Sequence, residues 1–347
     1  AICPRFSPFR STYRISLNVE HSNVTEASIG GQSYLLSFGD LHRHTDLSLC
    51  FPFFDGTYDD QFRYIIEVVE HDFVGITDHA RDLSNGEVDS LVWRRSVKEV
   101  ARHRLVGRFI PYFAYERSQR QTDHNVISLK DDLLRPHEPH IRDFWKEIDG
   151  DTFTIPHNTG SSPAMVQALW SIHDNEKRPL MEIFQGCRAN ADQNMAAMVR
   201  LGYSKGYRFG LIASSDHLST HRSFACVWSP ERARESIFRS LQARRTYGAT
   251  DRIGLVFRYG QRWMGEEVKH RTKESFFLQI AGTGPIKEVR VNKNGKPWKS
   301  FKPAEQSLKF EQSMAPDPLD GKEDYYFVEL EQSDGNRAWS SPIWLVR

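Results

Sequence analysis

The chain has 347 residues, with 46 Lys and Arg against 45 Asp and Glu, so its formal net charge is +1. This balance argues against a general nucleic-acid or anionic-membrane binder, because such proteins carry an excess of basic side chains. The length suits one large domain followed by a smaller one, and four cysteines without a CxxC pair argue against a disulfide scaffold.

The N-terminal region, residues 1–30, is polar and weakly patterned, and we interpret it as an arm that is partly disordered. No signal peptide is visible there, and no apolar run approaches the roughly 18–20 residues of a membrane span. A periplasmic or secreted origin stays open if a leader has been removed. The sequence does not predict the oligomeric state.

Short apolar runs alternate with helix-like segments over residues 31–252, which we take as the first domain. Strands are predicted at 34–38, 73–77, 109–115, 152–156, 180–184 and 209–213, and helices at 59–71, 89–105 and 230–245. This alternation predicts a parallel α/β architecture.

The pattern changes over residues 253–347, where strands follow one another without helices between them. Asn294-Gly295 and Asp334-Gly335 are strong hairpin-turn signals. We predict a small antiparallel β domain, with either a packing role or a role in substrate binding.

Histidines and carboxylates follow the ends of five of the six predicted strands. Since the C-terminal ends of parallel strands share one face, these side chains are expected to converge. Imidazole and carboxylate ligands suit zinc, manganese or iron, and so large a set predicts two or three divalent ions. The candidate ligands are His42, His44, His79, Glu116, His124, His157, Asp216 and His217.

The order of these motifs resembles the PHP (polymerase and histidinol phosphatase) superfamily over roughly residues 34–250. The motifs are Asp40-Leu-His-Arg-His44, Thr77-Asp-His79, Glu116, two separated histidines and Ser215-Asp-His217. Residues 39–46, 115–118, 213–221 and 338–343 are also similar to a branch known only as a domain of unknown function. The resemblance implies a distorted (β/α)7 TIM-like barrel, whose two or three metal ions share a hydroxide that hydrolyses phosphomonoesters or phosphodiesters.

The resemblance also implies the distribution of ligands. His42 and His44 would bind a first metal that Asp216 completes and Glu116 bridges. His79 would bind the second metal.

The resemblance also implies positions for the remaining histidines. His217 would lie near the second metal, and His124 and His157 would hold a third metal with Glu116. Asp40 and Asp78 would orient the histidines without contacting the metals themselves.

The first of two departures from the family pattern concerns the second metal. The pattern offers His or Asp where this chain has Cys50, so either the Cys50 thiolate or Asp55 could ligate. The second departure is that Asp216 and His217 are adjacent. Neighbours in a strand point in opposite directions, so one of the two would fail to ligate and His221 is a fallback.

Arginines flank the candidate ligands and favour a small anionic substrate that carries a phosphate, sulfate or carboxylate group. Among these we expect a phosphorylated substrate. The arginines are Arg43, Arg81, Arg117, Arg120, Arg188 and Arg222. In the expected reaction Glu116 bridges the metals, His217 or His221 protonates the leaving oxygen, and Arg222 stabilises charge.

The sequence leaves two alternatives to a phosphoesterase open. One is a hydrolase of another anionic ester or of an acidic sugar. The other is an inert metal-binding protein, since Cys50 and the adjacent Asp216 and His217 depart from the pattern.

Overall fold

The computed structural model describes residues 25–48, 52–80, 91–105, 107–117, 123–131, 140–157, 169–188, 192–217 and 222–347. The strands are β1 (Glu26–Ile29), β2 (Gln32–Arg43), β3 (Phe73–Ile76), β4 (Ile110–Arg117), β5 (His124–Ser128), β6 (Thr152–Pro156), β7 (Leu180–Gln185), β8 (Gly210–Ser214), β9 (Phe224–Ser229), β10 (Thr246–Ala249), β11 (Gly254–Tyr259), β12 (Arg262–Trp263), β13 (Glu267–Lys269), β14 (Phe276–Ala281), β15 (Ile286–Lys293), β16 (Lys296–Phe301), β17 (Lys309–Met314), β18 (Glu323–Gln332), β19 (Arg337–Ser340) and β20 (Ile343–Val346). The α-helices are α1 (Pro52–Asp55), α2 (Tyr58–Tyr64), α3 (Leu91–Arg102), α4 (Ile141–Glu147), α5 (Asp192–Ser204) and α6 (Arg234–Gln242). A π-helical turn (Ile65–Val69) continues α2, and a 3-10 turn (Gly186–Arg188) follows β7.

One large sheet dominates the described chain, with the order β13-β20-β18-β19-β10-β9-β2-β3-β4-β5-β6. A four-stranded sheet (β12-β11-β14-β17) and a parallel pair (β7-β8) accompany it. The predicted α/β class is therefore confirmed in this general form. The closed (β/α)7 barrel is not confirmed, because the described sheet is open and its helices are few.

The predicted parallel arrangement holds for only part of the sheet. Strands β2, β3 and β4 are parallel, whereas β5 is antiparallel to both β4 and β6. Only residues 118–123 separate β4 from β5, and a parallel crossover needs a dozen or more residues. The chain therefore returns as a hairpin, an element that the sequence pattern missed.

Both hairpin turns that the sequence predicts in the C-terminal region are present. Asn294 and Gly295 have φ of 53° and 76° between β15 and β16, which are the positive values of a two-residue hairpin turn. Gly335 has φ of 87° between β18 and β19. Because β19 also pairs with β10, the C-terminal strands extend the large sheet without a break at residue 253. The domain boundaries stay a prediction.

The N-terminal arm is described only at its end. Strand β1 pairs antiparallel with β2, and residues 1–24 lie outside the described residues. Across the part of the chain that the structure describes, every helix is too short or too polar to cross a membrane.

Candidate metal centre

The first two histidines come from the end of β2, where the chain is still extended. His42 and His44 are two residues apart, so their side chains leave the same side of the strand. Both are buried, and their Nε2 atoms lie 3.3 Å apart. Two imidazole nitrogens at this separation are close enough to share one cation.

Glu116, near the end of β4, is the hub of the cluster. Its carboxylate oxygens lie 3.5 Å from His42 Nε2 and 3.1 Å from His44 Nε2. They lie 3.6 Å from both His79 Nδ1 and His157 Nε2. Strands β2, β3, β4 and β6 thus bring four imidazoles to one buried carboxylate, as the strand-end pattern predicts.

Asp216 and His217 both reach the cluster although they are neighbours. Asp216 has φ of 66°, so the chain leaves the extended conformation there. Asp216 Oδ1 lies 3.4 Å from His42 Nε2 and 3.3 Å from His217 Nε2. The expectation that one of the two must point away fails, because it assumed a regular strand beyond β8.

Three overlapping groups could each hold a metal ion: His42 with His44 and Asp216, His42 with Glu116 and His157, and His44 with His79 and Glu116. Both nitrogens of His157 are buried, and neither has a hydrogen-bond partner among the described residues. A buried polar atom without a partner is costly, and a metal ion would satisfy one of these nitrogens. The donor set therefore fits divalent cations.

His217 is oriented by Asp55, whose Oδ2 lies 2.8 Å from His217 Nδ1. The His217 ring also stacks on His44, with 4.2 Å between centroids. Asp55 therefore supports an imidazole here, and its role as a ligand in place of Cys50 stays a prediction. Cys50 and His221 lie outside the described residues.

His124 does not join the cluster, and the register of β5 explains why. Glu116 pairs with Asn125 across the β4–β5 hairpin, so Asn125 shares the face of Glu116 and His124 takes the opposite face. His124 Nε2 accepts a hydrogen bond of 2.7 Å from Arg178. The expected third-metal role assumed that His124 follows a strand end, whereas it begins a strand.

Asp40 and Asp78 act on the backbone rather than on the imidazoles that they were expected to orient. Asp40 Oδ1 accepts hydrogen bonds from the backbone N–H groups of His42 and Ser215, which ties the ends of β2 and β8 together. Asp78 accepts from the backbone N–H and the hydroxyl of Thr45. Both carboxylates therefore fix the loops that carry the candidate ligands.

Two side chains that orient the histidines were not predicted from the sequence. Glu182 Oε1 lies 2.8 Å from His42 Nδ1, and Gln185 Nε2 donates to Glu182 Oε2 at 2.9 Å. Ser48 Oγ lies 2.9 Å from His44 Nδ1. A carboxylate in the middle of the fully buried strand β7 was the available signal for Glu182.

Two of the flanking arginines that the structure describes have structural contacts. Arg43 is buried and donates to Gln61, Asp40 and Ser215, so its role is structural. Arg117 is also buried, with its guanidinium over the ring of Phe144.

The other arginines divide into two groups. Arg81 and Arg120 lie outside the described residues, as does the side chain of Arg188. Arg222 is exposed and lines a cavity beside β7.

Negative charge dominates the electrostatics of the cluster. Burial lowers the pKa of His42, but the charges of Glu182 and Asp216 outweigh it and raise that pKa well above its usual value. Burial likewise disfavours charged His44, yet hydrogen bonds to Asp216 and Glu116 raise its pKa to about 10. Burial lowers the pKa of His157 to about 3, which leaves its lone pair available.

Metal binding is expected to release protons at pH 7. The pKa values of His42 and His44 are raised, so both imidazoles hold protons more tightly than usual, whereas a metal ligand must be neutral. The apparent metal affinity should therefore rise as the pH increases from 6 toward about 10, the raised pKa of His44. Titrating metal into weakly buffered protein with a pH indicator should show a net release of protons. Release of none would contradict these pKa directions.

Replacing Glu182 should weaken metal binding although Glu182 touches no proposed ion. The Glu182→Gln variant keeps the side-chain volume and removes the charge that His42 Nδ1 faces. Loss of such a partner typically costs about 10–100-fold in metal affinity, which competition with a chelating dye would measure. The matched control is Glu329→Gln on β18, whose carboxylate faces Arg290. Equal affinities in the two variants would contradict the role of Glu182.

The cluster defines the class of site: a buried histidine–carboxylate centre with donors for more than one divalent cation. No protein-family model matches the chain. Over 42% of its length the chain is 30% identical to an uncharacterised protein of Chlamydia pneumoniae, and over 44% it is 24% identical to one of Chlamydia muridarum. These matches cover 28% and 29% of the chlamydial proteins, so the chain spans less than a third of either relative.

One solved structure is similar over nearly the whole chain. It is the crystal structure of a two-domain protein from Bacteroides vulgatus, described as containing a predicted PHP-like metal-dependent phosphoesterase. The two chains are 12% identical with a TM-score of 0.49, over 93% of this chain and 98% of the other.

Proposed function

We propose that this protein is a metal-dependent phosphoesterase of PHP type, with two or three ions of zinc, manganese or iron at the cluster. One observation carries the proposal: a single buried carboxylate, Glu116, lies within 3.6 Å of four imidazoles. Structural metal sites are usually closed by four ligands. A set that shares one carboxylate among overlapping groups favours a multinuclear catalytic centre.

The ligands divide by position. His42, His44 and Asp216 form the first group, and Glu116 connects it to His79 on one side. On the other side Glu116 connects to His157. When bound, divalent ions would lower the pKa of a water toward neutrality and stabilise negative charge on a phosphoryl group.

His217 would donate a proton to the leaving oxygen. Asp55 holds its Nδ1, which directs Nε2 to the Asp216 side of the cluster. A carboxylate partner stabilises the protonated imidazole, and a well-placed general acid contributes about 10²–10⁴-fold. The substrate would be a small phosphorylated molecule, because the chain, with a formal net charge of +1, lacks the excess of basic side chains typical of nucleic-acid binders.

The fold proposal is a distorted barrel over residues 31–252, followed by the β domain of residues 253–347. Support for closure comes from Gly248 on β10, where a Cβ would lie 2.8 Å from the backbone nitrogen of Ala213 on β8. The β7–β8 pair therefore lies directly against the large sheet. Such a barrel would place the candidate ligands other than His124 at the C-terminal ends of its strands.

Turnover of simple esters tests the activity. Protein carrying metal should hydrolyse p-nitrophenyl phosphate or bis-p-nitrophenyl phosphate, lose this activity with a chelator, and regain it with manganese or zinc. p-Nitrophenyl acetate and p-nitrophenyl sulfate serve as non-phosphate controls. Metal-loaded protein that cleaves neither phosphoester would overturn the proposal.

A further inference from the structure

Asn125 lies on the face of the β4–β5–β6 sheet that carries two of the candidate ligands. It is fully buried on β5 and pairs with Glu116 on β4. On its other side it pairs with Ile155 on β6, and His157 follows Ile155 by two residues. The backbone N–H of His157 donates to the carbonyl oxygen of Asp123 at 3.3 Å, so the ladder continues to this residue. Because paired residues, and residues two apart on one strand, share a face, Asn125, Glu116 and His157 lie on the same face.

The side-chain oxygen of Asn125 is a buried acceptor. Oδ1 has no hydrogen-bond partner in the described part of the chain. Asn125 Nδ2 lies 3.4 Å from Glu182 Oε1, which is also 2.8 Å from His42 Nδ1. A histidine that binds a metal through Nε2 carries its proton on Nδ1, so Glu182 Oε1 accepts and the amide keeps its N–H₂ group toward it. Oδ1 is therefore left to a cation or to another donor.

A candidate cation group lies beside this oxygen in the sheet. His42, Glu116 and His157 each offer one ligand atom, and these atoms all lie within 4.8 Å of one another. Residues directly opposite in an antiparallel pair have Cβ atoms about 4.5–5.5 Å apart, so one ion can contact side chains from both. The register therefore makes Asn125 a neighbour of any ion that the Glu116 carboxylate binds.

We infer that Asn125 Oδ1 is a ligand of the ion that Glu116 and His157 hold, and that this ion is manganese. The inference rests on the proposed metal-dependent function and deepens it. The resemblance to the PHP family implies a second imidazole at this metal, but His124 takes the opposite face and meets Arg178. Asn125 is then the residue by which this chain departs from the family at the third metal.

The ligand set favours manganese over zinc at this position. In the proposed centre His42 binds the first metal. The ion at His157 then has one imidazole and two side-chain oxygens as ligands. Carbonyl and carboxylate oxygens suit manganese, whereas imidazole-rich sites suit zinc. The first metal, with two imidazoles, would be zinc, so the centre would hold two kinds of ion.

Manganese binding to protein that carries two equivalents of zinc tests the inference without any turnover. The electron paramagnetic resonance signal of free manganese falls as the ion binds, and the unaltered protein should take up one further equivalent. Asn125→Leu removes the oxygen at similar volume and should weaken this binding by about tenfold or more, since even loss of a group that only orients a ligand costs about 10–100-fold. Asn125→Asp keeps an oxygen and should bind manganese at least as tightly as the unaltered protein.

The same two variants separate a ligand from a residue that acts only through Glu182. Both remove the N–H₂ group that faces Glu182 Oε1. If Asn125 served only to orient His42 through Glu182, both variants would lose zinc as well as manganese. A ligand role predicts that zinc, measured by elemental analysis, stays at two equivalents in both.

The control is Asn292→Leu on β15, where another buried asparagine has a side-chain nitrogen without a partner among the described residues. It should bind manganese as the unaltered protein does. A crystal of manganese-soaked protein provides a measurement that needs no variant. Its anomalous signal should place the ion in contact with Asn125 Oδ1.

Three results would overturn the inference: no manganese uptake by the unaltered protein, equal manganese affinity in Asn125→Leu, or an ion out of contact with Oδ1 in the crystal. Loss of zinc in both Asn125 variants would also overturn it, in favour of positioning through Glu182. If manganese binds as expected while no phosphoester is cleaved, the ligand assignment stands and the proposed hydrolysis fails. If esters are cleaved while manganese binding is insensitive to Asn125, the inference alone fails.

Discussion

Glu116→Gln should lower phosphoester turnover by about 10³-fold or more, because it removes the one charge that four imidazoles share. The substitution keeps the side-chain volume. A glutamine offers a single acceptor oxygen and an N–H₂ group, so it could not bridge two cations as the proposed centre requires. Metal content per chain should fall together with activity.

The control for Glu116→Gln is Glu235→Gln in α6, where a carboxylate on the surface loses the same charge. Its activity and metal content should equal those of the unaltered protein. Circular dichroism would establish that both variants are folded. Full activity in Glu116→Gln, measured as kcat/KM on p-nitrophenyl phosphate with manganese, would contradict the bridging role.

Asp216→Asn should lose at least about 10²-fold in metal affinity, since it removes the carboxylate that faces His42, His44 and His217. Asparagine tolerates the left-handed conformation at φ of 66°, so the backbone should keep its course. Isothermal titration with zinc or manganese would measure the change.

Two further variants at position 216 separate ligand loss from backbone strain. Asp216→Gly also removes the carboxylate but accepts a positive φ, so it should match Asp216→Asn in metal affinity. Asp216→Ala should in addition unfold more easily than Asp216→Gly, by about 1–2 kcal/mol, because glycine has no Cβ to disfavour the left-handed conformation. Metal affinity in Asp216→Asn equal to that of the unaltered protein would rule out a ligand role for this residue.

The convergence of the histidines was predictable because it follows from where strands end. His42, His79, Glu116 and His157 come at or just after the ends of strands that lie side by side or share one hairpin sheet. Parallel strands that end at one face bring such residues together whatever the detailed geometry. Those parts of the site could therefore be predicted from the order of strands and candidate ligands along the chain alone.

Other parts depended on register and backbone conformation, which the sequence pattern does not encode. His124 faces Arg178 because β5 is a hairpin strand, and one residue of register changes its face. Asp216 joins His217 through a positive φ that nothing in a run of Ser and Asp predicts. Glu182 supports His42 from a strand that reads as ordinary core, and only the structure shows which neighbour it meets.

Metal content per chain, measured by elemental analysis on protein purified without chelator, tests the central claim most directly. A surface group of Asp59, Glu99 and His103 could also hold a cation, so His103→Asn should be measured beside the unaltered protein. We predict two or three equivalents of zinc, manganese or iron in both. Less than one equivalent, not restored by added metal, would contradict a metal centre built on Glu116.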